Sequence, residues 1–165
     1  MSGLAGSWRA LAERVVTEYR EALGGDLVAI AIFGSAARGA ATAASDLDLY
    51  VVTRAPLDLV ERRLERLWKV AQTPEYRRLV AEGYCRPDPR PVYHTLEELR
   101  RHPWILADIA DHGIIMFDPD RVLSAELDAV RGRLRQLGAK RIERPDGTWM
   151  WDLKPDWKPG DVVEL

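Results

Sequence analysis

At 165 residues, 47% hydrophobic and 30% charged, the chain has the balance of a soluble globular domain and enough length to bury one core. Its formal charge of −2 excludes a surface that is basic throughout, so any nucleic-acid contact would be a local patch and nucleic acid is not the expected partner. Cys85 is the single cysteine, which excludes an intrachain disulfide and a cysteine metal cluster; no run reads as a signal h-region or a membrane span, so a reducing cytoplasm is the expected location.

In chain order, Leu4, Trp8, Leu11, Val15, Tyr19 and Leu23 recur at helical spacing until Gly24-Gly25 stops them. Leu27 to Phe33 is an unbroken apolar run, the pattern of a strand buried on both faces, and a second strand is expected from Leu47 to Val52. Pro56 opens an amphipathic helix with Leu57, Val60, Leu64, Leu67, Trp68 and Ala71 on its apolar side, and Pro74 starts a shorter one that runs to about Ala81. A third strand is centred on Val92-Tyr93-His94. Thr95 and Glu98 then have capping-box spacing, a helix begins at Pro103, a strand covers Ile114 to Phe117, and a helix after Pro119 ends at Gly138. The tail reads as a hairpin around Pro145-Asp146-Gly147. The expected fold class is α/β (α+β), a mixed sheet flanked by helices. Residues 1–138 would form the core domain, and 139–165 a hairpin and tryptophan-rich tail packed on it.

The stretch GSAARGAATAASDLD, Gly34 to Asp48, carries the chemistry. On a strand, residues two apart share a face, so Asp46 and Asp48 project together while Leu47 and Leu49 pack behind them. Two carboxylates in one small space disfavour joint ionisation unless a cation neutralises them, and paired oxygen ligands suit Mg²⁺ or Mn²⁺. The Gly34-Ser35 turn offers free N–H groups and a hydroxyl of the kind that cradles a phosphate.

Gly34-Ser35, ten residues, then Asp46-Leu47-Asp48 resembles the signature of the nucleotidyltransferase superfamily that includes DNA polymerase beta, and in particular its minimal nucleotidyltransferases. Arg38 and Gly39 match the GSxARG form of the turn, and Ser45 before Asp46 also fits. The resemblance covers Ala29 to Val52, with a looser likeness from Ile105 to Asp118, and the tail is similar to the ends of some longer archaeal members. It implies an NTP such as ATP bound with Mg²⁺ and transfer of a nucleoside monophosphate to a hydroxyl, pyrophosphate leaving. Asp46 and Asp48 would hold metal, Gly34 and Ser35 the β and γ phosphates, and Arg38 the triphosphate. Many minimal members pair with a helical HEPN protein, which makes protein AMPylation the favoured acceptor chemistry, with RNA ends and small alcohols also compatible. Self-association into a homo-oligomer is open.

Polymerase-like members carry a third acid on a neighbouring strand. Here that strand reads RPDPRPVYHT, the acidic position falls near Arg90, and Asp88, two residues earlier on the same face, is the candidate third metal ligand and catalytic acid. His94 shares the parity and is a substitute base. The departure at the third acidic position points to a second class, a module that retains the fold and NTP or partner binding without turnover. A helical adaptor without a nucleotide site is third. Trp149 and Trp151 share a strand face and are expected to bury as core; base stacking by Trp149, Trp151 and Trp157 beside Lys154 and Lys158 is the alternative.

Overall fold

The structure, a computed structural model, describes residue 4 and residues 6–59, 65–144 and 149–165, with the backbone alone at 65–68. Helix α1 spans Gly6–Leu23 and strand β1 Leu27–Ile32; all six positions of β1 are buried, as its continuous apolar run requires. A four-residue helix, α2 (Gly34–Ala37), and a loop lead to β2 (Leu47–Thr53). Helix α3 (Pro74–Ala81) is capped by the Thr73 hydroxyl, which accepts from Tyr76 N at 3.3 Å. Then come β3 (Pro89–Thr95), α4 (Leu96–Leu99), α5 (Ile105–His112), β4 (Ile114–Phe117) and α6 (Val122–Leu137). The hairpin strands β5 (Lys140–Glu143) and β6 (Trp149–Asp152) follow.

The four-stranded sheet has the order β3-β2-β1-β4, with β1 antiparallel to β2 and β4, and β3 parallel to β2. The mixed sheet, the flanking helices and the C-terminal hairpin are the expected architecture. Strand β3 carries Pro89 and Pro91 and is an edge strand, the place where missing N–H donors are tolerated. Period-two alternation sorts β2 onto two cores. Leu47, Leu49 and Val51 meet Leu11, Val15 and Tyr19 of α1 on one face. Tyr50 and Val52 meet Leu106 and Ile109 of α5 and Leu127 and Leu134 of α6 on the other.

The Thr95–Glu98 capping box forms as expected, Thr95 N donating to Glu98 Oε2 at 2.7 Å and Glu98 N to Thr95 Oγ1 at 3.2 Å. Gly138 closes α6 at φ 66, a left-handed position that favours glycine. Helix α5 starts at Ile105, because Pro103 stands in the turn before it and its carbonyl accepts from Leu106 N. The segment after Pro56 departs from expectation. Residues 57–59 are helical with Leu57 and Leu59 exposed, and Glu65–Gln72 is a 3₁₀ helix with Val70 buried and Ala71 exposed. At Ala71, the one expected apolar-side position described in it, the three-residue turn leaves the side chain exposed. Val60, Leu64, the side chains of Leu67 and Trp68, and the Pro145-Asp146-Gly147 turn lie outside the described residues.

Candidate functional site

The antiparallel return of β2 along β1 builds the site. Ile32 pairs with Leu49, and Phe33 N donates to Asp48 O at 3.1 Å, so the ladder continues to the chain's turn at Gly34. Gly34 therefore lands on the Asp48 side chain: a Cβ there would lie 1.9 Å from Asp48 Oδ2, and its φ is +73. Both the space and the backbone angle demand glycine. The loop between the strands is braced internally. Ala40 N donates to Ser35 O at 2.9 Å, and Thr42 N and the Ser35 hydroxyl both donate to Ser45 Oγ, each at 2.9 Å. Cys85 N reaches across to Ala43 O at 2.8 Å. Ser45, which fits the signature just before Asp46, is buried as the brace of this loop.

Asp46 precedes β2 and Asp48 lies within it, both partly buried. Burial, and then the charge of Asp46, push the Asp48 carboxyl up to about 6, while Arg38 and Arg90 pull it back. Arg90 is paired in register with Asp48 across the parallel β2–β3 ladder, and its Nε lies 3.3 Å from Asp46 Oδ2. Two carboxylates thus share their space with two guanidinium groups.

Asp88 does not join them. Its carbonyl accepts from Leu47 N at 3.0 Å, starting the β2–β3 ladder, but its carboxylate accepts from Tyr76 OH at 2.6 Å and from Arg86 Nε at 3.2 Å. Among the described residues no group of three or more His, Cys, Asp or Glu side chains could hold a metal ion. The position facing Asp48 belongs to Arg90. His94 lies opposite Val52, further along the ladder, with its ring 5.4 Å from that of Tyr50.

The hairpin approaches the same site. The guanidinium of Arg38 lies over the Trp149 ring at 5.8 Å, and Arg141 meets that ring at 5.7 Å. Trp151 packs on the α5–α6 core and donates Nε1–H to Asp108 Oδ1 at 2.8 Å. The expected core role thus holds for Trp151, whereas Trp149 is half-buried among cations. Trp157 is 55% exposed, and the Lys154 ammonium is bound by Asp161 at 2.6 Å. Arg141 and Asp108 escape a sequence reading, since only the docking of the hairpin on α5 brings them near Arg38.

The acid pair fits one hard divalent cation. A half-buried carboxyl whose charge is opposed by burial and by a second acid gains most from a shared positive ion, and both donors are oxygens. Asp46 and Asp48 would hold it.

Residues 12–81 match the family described as "Nucleotidyltransferase domain". No curated protein matches the chain. Among solved structures, the spectinomycin adenyltransferase AAD(9) from Enterococcus faecialis with ATP and spectinomycin is similar at 14% identity, over 78% of this chain and 66% of that one, with a TM-score of 0.51. A toxin–antitoxin structure with AMP-PNP aligns at 20% identity, over 76% of this chain and 88% of that one, with a TM-score of 0.46. The complex of a tri-AMPylated Shewanella oneidensis HEPN toxin with its MNT antitoxin aligns at 17% identity, over 78% and 89%, with a TM-score of 0.44.

Proposed function

For a chain that carries a nucleotidyltransferase domain of the DNA polymerase beta type, we propose Mg²⁺-dependent transfer of AMP from ATP to a hydroxyl acceptor. The observation that carries this reading is the Asp46–Asp48 pair, with the Asp48 carboxylate set against a turn only glycine can make. In it, Gly34 and Ser35 meet the β and γ phosphates and Arg38 steadies the triphosphate. Asp46 and Asp48 hold the ion, which when bound supplies positive charge to the phosphate under attack. Arg38 and the turn fix the triphosphate so that a hydroxyl approaches in line with the leaving pyrophosphate. The acceptor class we favour is a protein hydroxyl on a helical HEPN-type partner, which the sequence resemblance implies.

Arg90 favours a second reading. A guanidinium against Asp46, where a third carboxylate would complete a two-metal site, suits a module that binds Mg·ATP without turnover. One experiment addresses both. With Mg²⁺ and α-labelled ATP, the wild type should bind nucleotide and label an acceptor, and Asp46→Asn or Asp48→Asn should lose more than ~10²-fold of both while keeping the fold by circular dichroism. Binding without labelling of HEPN-type protein, RNA or aminoglycoside would favour the non-catalytic module. Unchanged metal-dependent binding in both variants would sink the two-carboxylate site.

A further inference from the structure

Trp149 lies on β6, far in sequence from residues 12–81, yet its ring faces the arginine of the phosphate turn at 5.8 Å. Two carboxylates on different elements also act on Arg38: Asp48 on β2 and Asp108 on α5. Asp108 is fixed in turn by the Trp151 indole at 2.8 Å, and Trp151 shares its strand face with Trp149. The second cation at the Trp149 ring, Arg141, is anchored by Asp111 at 3.2 Å and Glu143 at 2.6 Å. Phosphate oxygens take a guanidinium at its N–H edge, whereas an aromatic face contacts its plane. The hairpin therefore offers Arg38 a contact that a bound triphosphate need not displace.

We propose that Trp149 is a positioning residue for the nucleotide: it holds the Arg38 guanidinium at the Gly34–Asp48 turn, which makes the C-terminal hairpin a working part of the triphosphate site. The inference rests on the nucleotide reading above. Hydrocarbon packing alone would need only volume at position 149, whereas a contact to the quadrupole of the ring needs an aromatic.

The test uses the full chain, wild type and the variants Trp149→Leu, Trp149→Phe and Trp157→Ala. Mg·ATP affinity is measured by calorimetry, and the Arg38 side-chain resonances are assigned by NMR. In the wild type those resonances should carry an upfield ring-current shift that Leu abolishes and Phe largely retains. Trp149→Leu should weaken Mg·ATP binding ~five- to tenfold, with Phe within about twofold of wild type and the exposed Trp157→Ala unchanged. An Arg38 spectrum without a ring-current shift would overturn the contact. A shift lost in Trp149→Leu at unchanged Mg·ATP affinity would overturn the positioning role. If the wild type shows the shift but binds no Mg·ATP, the nucleotide reading itself falls and takes this one with it.

Discussion

Asp48 and Asp88 stand near the same end of two neighbouring parallel strands, and their surroundings are opposite. Asp88 has its carboxylate satisfied by a tyrosine hydroxyl and an arginine, and its carbonyl starts the ladder to β2. Asp48 is pressed against the Gly34 backbone beside a second acid, and its proton is held up to about pH 6. One aspartate has its charge solved by its neighbours; the other has a charge that an added cation would solve. Carboxylates of the same type and parity can thus be a brace or a ligand, and their partners distinguish the two.

The comparison breaks most sharply at Gly34. Gly34→Ala sets a methyl group into the Asp48 carboxylate at a positive φ, and should cost about 1–3 kcal/mol of stability while removing metal-dependent ATP binding. Urea unfolding and calorimetry on one preparation measure both. Normal binding would mean that Asp48 can leave the turn and still function. Asp88→Ala should act the other way, losing about 1 kcal/mol through the unpartnered Tyr76 hydroxyl and leaving Mg·ATP affinity unchanged. A stable Asp88→Ala protein that binds Mg·ATP but no longer transfers AMP would restore Asp88 as the third catalytic acid.

The pH dependence sharpens the contrast without removing an atom from the wild type. Asp48 binds its proton up to about 6 in the folded chain against an ordinary value of 3.8, so between those values the folded state holds more protons than the unfolded one. The stability this group contributes is full below the ordinary value and is lost as pH rises towards the folded one. Unfolding midpoints across that window should therefore show a falling contribution that Asp48→Asn flattens. Mg²⁺ binding should weaken on acidification below about 6, as the proton competes for the same oxygens. The smallest effect belongs to Arg90→Gln. The side chain is 64% exposed, so stability should shift by no more than about 0.5 kcal/mol, while Mg²⁺ affinity rises by less than ~tenfold as a competing cation leaves Asp46. Weaker Mg·ATP binding would instead place Arg90 on the phosphates.

The sequence by itself determined whatever depends on neighbours along the chain. Helix α1, the buried run of β1, the Thr95–Glu98 box and the Gly138 stop were legible because periodicity and caps act within a few residues. The closeness of Asp46 and Asp48 was legible as well, being two residues apart, but Asp46 stands just before β2 rather than on the strand, so the strand pleat is not what pairs them. After Pro56 the sequence placed Leu57 and Ala71 on a buried face, and both are exposed; at Ala71 the chain is in a 3₁₀ helix, whose turn places side chains differently from an α-helix. Only the tertiary structure decided which residue faces Asp48: parity in RPDPRPVYHT allowed Asp88, Arg90 or His94, and the parallel register selected Arg90. It alone brought Trp149 to Arg38 across more than a hundred residues, through the packing of the hairpin on α5. Register and docking are set by burying whole faces against one another, and that free energy belongs to the assembled surfaces rather than to any local stretch.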